Sequence, residues 1–118
     1  MNSIRNQVQL IGHLGKNPEL KSFENDKKVV RFSLATNENY KDQKGEKQTI
    51  TQWHNVIAWG KIAEHIHKMT QKGSEIAIQG KLTYRKYLDN SGAEKYITEV
   101  VAQEFFKIGG KSEVSQPK

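Results

Sequence analysis

The stretch TITQWHNVIAWGKIAEHIHKMTQKG, Thr49 to Gly73, holds two kinds of periodicity and the switch between them. Its first part, Thr49 to Trp59, is rich in Thr, Trp, Val and Ile, which suit a pleated, half-buried strand. Val56 and Ala58 share one parity, and Trp53, Asn55, Ile57 and Trp59 share the other. Past Gly60 the period changes. Ile62, Ile66 and Met69 recur at i, i+4 and i+7, which predicts a short amphipathic helix over Lys61–Lys72 with Gly73 as its C-cap.

On either side of this segment the period is that of strands. Val8 and Leu10 alternate with Gln7 and Gln9, and Ile11 follows; Gly12 and Gly15 then mark a bulge or sharp bend. Val30, Phe32 and Leu34 alternate with Arg31 and Ser33, a second half-buried strand. Beyond the helix, Ile76, Ile78, Leu82 and Tyr84 share a parity, and Tyr96 to Phe106 forms a last strand. The polar connectors Lys41–Lys47, with Gly45, and Asp89–Gly92 read as hairpin loops. Five strands with one helix between the third and fourth is the order of an all-β OB-fold barrel. A small SH3-like barrel or a mixed α+β sheet is the alternative.

Composition narrows the function. At 118 residues the chain is one domain. A mean hydropathy of -0.80 points to a small core under a broad wet surface rather than to a large buried cavity. Without cysteine there is no disulfide scaffold, thiolate nucleophile or Cys-ligated metal. No apolar run approaches the ~18 residues of a membrane span, and the N-terminus lacks a signal-peptide core, so a soluble, cytoplasmic protein is expected. Gly109 to Lys118, GGKSEVSQPK, reads as a disordered tail or linker stub after a folded unit over residues 1–108.

A search for catalysis finds no P-loop and no nucleophile elbow. His65 and His67 lie two apart on the expected helix and point about 200° apart, so they share no metal. His13 and His54 lie in or beside strands with no acidic partner evident. The acids are scattered among lysines. An enzyme is not expected, and neither a metal nor another cofactor is implied.

The aromatics carry more. Trp53 and Trp59 oppose the parity of Val56 and Ala58. Tyr87 shares parity with Lys81, Thr83 and Arg85, and Tyr40 ends the second strand beside Lys41, Lys44 and Lys47. Any one of these rings is more simply read as core packing; as a group they stand beside cations. The net charge is +6, with 19 Lys and Arg against 13 Asp and Glu. Rings interleaved with cations are what single-stranded nucleic acid needs. Bases stack on the rings for about 1–3 kcal/mol each whatever the sequence, and cations neutralise phosphates. The same physics serves an RNA-binding OB-fold, and an aromatic face can also grip a polypeptide.

From Ile4 to Ile108 the chain resembles the bacterial and phage single-stranded DNA-binding proteins, the homotetrameric OB-fold family. The resemblance rests on four blocks in order: LIGHLGKNPEL (Leu10–Leu20), RFSLATNENY (Arg31–Tyr40), TQWHNVIAWGKIAEH (Thr51–His65) and KGSEIAIQGKLTYRKYLDNSGAEKYITEVV (Lys72–Val101). It implies base stacking on Tyr40, Trp53, Trp59 and Tyr87. The family usually has Trp at the positions of Tyr40 and Tyr87 and Phe at that of Trp59. It implies phosphate contacts by Lys61, Lys72, Arg85 and Lys86. Thr83 and Asn55 stand where a basic residue is common, and Lys81 and Lys41 are expected to compensate. It places His54 near a subunit interface, with a plain hydrogen-bonded strand histidine as the alternative, and Ile11, off the core parity, is a second candidate for self-contact.

The function so implied is sequence-independent coating and protection of single-stranded DNA in replication, recombination and repair, by a homotetramer associated with the nucleoid. Cellular members end in an acidic, Phe-terminated tip that recruits replication and repair proteins. This sequence ends SEVSQPK, so recruitment through such a tip is not expected of it. A primosomal accessory protein, an RNA binder and a protein-interaction module are the rival readings.

Overall fold

In a computed structural model, residues 4–108 are described. The expected tail at residues 109–118 lies outside them. The alternating segments become six strands: β1 (Val8–Leu14), β2 (Glu19–Ser22), β3 (Lys28–Lys41), β4 (Lys47–Trp59), β5 (Glu75–Leu88) and β6 (Glu94–Ile108). One helix, α1 (Gly60–Met69), lies between β4 and β5. The sheet runs β1-β5-β6-β4-β3-β2, and His13 and Leu14 of β1 pair with Ala35 and Leu34 of β3. That last pairing closes β1, β5, β6, β4 and β3 into the five-stranded OB barrel.

The main core cluster takes side chains of one parity, while Val29 and Ile57 are buried on the other. Val30, Phe32 and Leu34 of β3 meet Val56 and Ala58 of β4, Ile76 and Ile78 of β5, and Val100 and Ala102 of β6. Ala63 and Ile66 of α1 are fully buried in the same cluster. Burying a side chain the size of Ile66 contributes roughly 1.5–3 kcal/mol. The helix reaches the core because Gly60, at φ 69, turns the chain straight out of β4.

Two glycines let the barrel close tightly. A Cβ on Gly12 would collide with the Ala35 carbonyl of β3, and one on Gly80 with the Val101 carbonyl of β6. Gly80 also sits at the register shift in the β5–β6 pairing, where the strand bends.

Several expectations are corrected. The break in the first strand falls at Gly15 and not at Gly12, which stays inside β1. The chain then resumes as β2, too short and too polar to read as a strand. The helix ends at Met69, earlier than expected. The Thr70 amide and hydroxyl both donate to the Ile66 carbonyl, at 3.1 and 2.6 Å, and take the place of a glycine cap. Gly73, at φ 90, belongs to the following turn, where its amide bonds the Leu14 carbonyl. Met69, the last residue of α1, is exposed instead of sharing the buried face of Ile66.

The two polar connectors are tight turns at the tips of long hairpins. Both tips use the same device, an Asp three residues before a Gly. Asp42 Oδ1 accepts from the Lys44 and Glu46 amides, and Asp89 Oδ1 from the Ser91 and Ala93 amides. These bonds hold both carboxyls below the ordinary aspartate range. The Glu46 amide is the main cause at Asp42 and the Ser91 hydroxyl at Asp89.

Candidate nucleic-acid interface

The unbroken β3–β4 register carries the parity argument across the sheet. Trp53 pairs with Ala35, Ile57 with Arg31, and Trp59 with Val29. Ile57 also pairs with Val101 of β6, which pairs with Lys81 of β5, and Arg31 pairs with Glu19 of β2. One row, Glu19–Arg31–Ile57–Val101–Lys81, therefore crosses five strands on the outer face of the barrel. Farther along β5 on this face come Thr83, Arg85 and Tyr87, opposite Glu99, Ile97 and Lys95.

Trp53 and Trp59 stand on this face, 62% and 46% exposed, with Tyr87 nearly as open. Rings this exposed contribute little to the core and are open to a stacking ligand. Trp53 has a defined seat. A Cβ on Gly15 would lie 2.5 Å from Cζ3 and 3.0 Å from Cη2 of its indole, so the ring rests where the bare glycine backbone makes room. Lys21 pairs with Val29 and so stands in the row of Trp59. An open groove of about 240 Å³ on this face is lined in part by Lys16, Asn17, Glu19, Arg31, Arg85 and Glu99.

Glu99 is the unexpected member. It is only 6% exposed, yet it lies on the face that carries the cations. Arg85 donates to it twice, Nε to Oε1 at 3.3 Å and Nη2 to Oε2 at 3.2 Å. Arg31 Nε stands 3.7 Å from Oε2. The bonds to Glu99 are also what raise the Arg85 pKa above its ordinary value.

The remaining candidates divide between places. Lys81 is exposed on the same face, and Lys61 is exposed in the first turn of α1, two residues past Trp59. Lys72 lies in the turn after α1, its amide bonded to Asn17 Oδ1 at 2.7 Å beside the groove. Tyr40 pairs with Gln48 on the parity of Phe32 and Leu34, so it is exposed on the reverse face of the β3–β4 hairpin. Its parity does not oppose the aliphatics, as that of the two tryptophans does. Lys41, the last residue of β3, is exposed at the hairpin tip. Lys86 is on the reverse face of β5 from Arg85 and Tyr87, and pairs with Glu94 at 3.5 Å. His54 is half-buried, its Nε2 2.9 Å from the Thr36 hydroxyl, which meets the hydrogen-bonding need of a strand histidine. Ile11 is 59% exposed beside Ala77, with Phe106 beyond it, on the outer side of β1, β5 and β6.

Sequence reasoning passed over Lys16, Lys21, Arg31 and Glu99. Arg31 was visible as the polar alternate in β3. Glu99 carried a signal too: an acid inside the apolar run of Ile97, Val100 and Val101 needs a cation partner.

Residues 5–108 match the family described as "Single-strand binding protein family". The chain is 42% identical over 107 residues to single-stranded DNA-binding protein 1 of Chlorobaculum tepidum, covering 90% of this chain and 66% of that protein. It is 40% identical over 108 residues to the single-stranded DNA-binding protein of Xanthomonas campestris, covering 92% and 63%. It thus spans somewhat under two thirds of these relatives' length. Among solved structures it is similar to a Plasmodium falciparum SSB in complex with ssDNA, with a TM-score of 0.81 and 33% identity over 92% of this chain and 99% of that one. A deletion mutant of the Thermus aquaticus single-stranded DNA binding protein gives a TM-score of 0.77 and 26% identity over 90% and 51%.

Proposed function

Since the chain belongs to the single-strand binding protein family, we propose that it binds single-stranded DNA without sequence preference. Its role is to protect exposed strands during replication, recombination and repair. The observation that carries the reading is the outer face of β3, β4, β6 and β5. There Trp53, Trp59 and Tyr87 stand exposed beside Arg31, Lys81 and Arg85. Bases stack on the rings and the cations follow the phosphates. A duplex hides its base faces, so this face selects single strands. Tyr40 and Lys86, on the reverse faces of their hairpins, serve a strand that passes around the hairpin edges. Lys61 and Lys72 extend the path past α1, and Lys41 extends it at the β3–β4 tip.

The homotetramer belongs to the same reading. The exposed pair Ile11 and Phe106 (59% and 72%) supports it, because an apolar outer patch on a small barrel is best covered by another copy. His54 is assigned to the barrel rather than to that contact, given its bond to Thr36. Among the described residues no helix is long and apolar enough to cross a membrane. A cytoplasmic, nucleoid-associated place and the lack of catalysis follow from the proposed role.

The test is titration of tryptophan fluorescence with dT oligomers of increasing length, at several salt concentrations, with duplex and ribo-oligomers as competitors. Strong quenching is expected, with a log–log salt slope of about -0.7 per phosphate contact and no competition from duplex. Tighter binding to RNA would favour an RNA-binding role, and no quenching would turn the face toward protein partners.

A further inference from the structure

A carboxylate on a face meant for an anionic strand is a paradox. Glu99 repels phosphate, and its burial makes it costly unless it is paired. It is paired on both sides. Oε2 is shared between Arg85 Nη2 at 3.2 Å and Arg31 Nε at 3.7 Å, and Oε1 takes Arg85 Nε at 3.3 Å. These contacts use the inner edge of the Arg85 fork. Both arginine side chains remain nearly half exposed and line the groove, and each fork keeps N–H donors that Glu99 does not use. Arg85 is hydrogen-bonded to the acid and Arg31 ion-paired with it, so the three carry a net charge of +1, and Lys16 and Glu19, which line the same groove, balance each other.

We infer that Arg31, Arg85 and Glu99 form a single phosphate seat, in which the two arginines grip one phosphodiester and Glu99 holds both in place. The resemblance marks Arg85 alone; Arg31 and Glu99 come from the geometry. The inference rests on the single-strand reading and gives it a specific subsite. Glu99 is a positioning residue, acting through the arginines without touching the strand. The advantage is entropic. A free arginine side chain loses rotamer freedom when it meets phosphate, whereas Arg85, bonded twice to Glu99, has given up much of it on folding, and the ion pair with the same acid narrows the range of Arg31.

The test measures dT oligomer binding across a salt series for the unaltered chain, R31Q, R85Q, the double R31Q/R85Q, and E99Q, each with a melting curve. Glutamine carries its amide nitrogen where arginine carries Nε and can still donate to Glu99; the double leaves the buried acid without a cation, so its binding is read at a temperature where its melting curve shows it folded. Each single arginine variant is expected to lose about tenfold in affinity. The double should lose little more, and its salt slope should shrink by about 0.7, the value for one phosphate. Losses that multiply, with the slope falling by about 1.4, would mean two independent contacts and overturn the shared seat. E99Q should also weaken binding. Tighter binding by a folded E99Q would show that the acid only repels, and would overturn the positioning role. If E99Q fails to fold, the arginine pair decides. Failure of the unaltered chain to bind dT sinks the single-strand reading and the seat with it. Undiminished binding by R31Q and R85Q sinks the seat alone.

Discussion

Replacing Gly15 with alanine should impair strand binding while leaving the barrel intact. The added Cβ would lie 2.5 Å from Cζ3 and 3.0 Å from Cη2 of Trp53. Carbon atoms pack at about 3.5–4.0 Å, so the indole must move by roughly 1 Å or swing away. It is free to do so, being the exposed end of a flexible side chain. Nor does the backbone object, because Gly15 is not among the glycines at positive φ. Alanine there costs the fold little and narrows the unfolded ensemble slightly. What is lost is the aim of the ring. Stacking on one ring is worth about 1–3 kcal/mol, so a displaced Trp53 should cost roughly 1–2 kcal/mol, about a 5- to 30-fold loss of affinity. The assay is fluorescence anisotropy of a labelled dT oligomer, with melting curves for G15A, W53A and the double variant. Since Gly15 acts through Trp53, G15A should change nothing further once the ring is gone. Binding by G15A within twofold of the parent would refute the reasoning, as would an equal loss in the W53A background.

Gly80→Ala should behave in the opposite way, because its Cβ meets the backbone carbonyl of Val101, which cannot swing aside. Destabilisation of at least about 2 kcal/mol is expected in urea unfolding, and a midpoint within experimental error of the parent would show that the closure there is looser than described. The hairpin tips should respond to acid. Asp42 and Asp89 have pKa values lowered from 3.8, so the stability they give the tips is complete above that value and lost as pH falls through the lowered one. Amide exchange at Lys44, Glu46, Ser91 and Ala93 should stay protected at pH 5 and fail only in stronger acid; loss of protection already near pH 5 would contradict this.

The resemblance blocks and the strand periods together made the barrel legible, and the periods alone told which side of each strand faces inward. Parity worked best where the pairing is regular, as for Val56, Ala58, Trp53 and Trp59, since side chains alternate strictly along an unbroken ladder. It failed where local contacts override period. Thr70 ended α1 before Gly73 by taking the Ile66 carbonyl with its own hydroxyl. Tyr40 was placed by its neighbours in sequence, the lysines of the loop, rather than by counting along β3 from Phe32.

The candidate site shows the same division. Rings and cations were visible as residue types on outward positions, because alternation alone decides which side of a strand they occupy. Their grouping was not. Arg85 and Glu99 are neighbours across the β5–β6 hairpin, but Arg31 joins them only because β4 and β6 run side by side in parallel, a pairing between segments about forty residues apart. Gly15 came to lie beneath Trp53 in the same way, through closure of the barrel. The alternation, the turn chemistry and the supply of rings and charges follow from the order of residues alone, because they depend on near neighbours along the chain. Which of them share a groove was settled by barrel closure, because that depends on strand order and register, which no local pattern encodes.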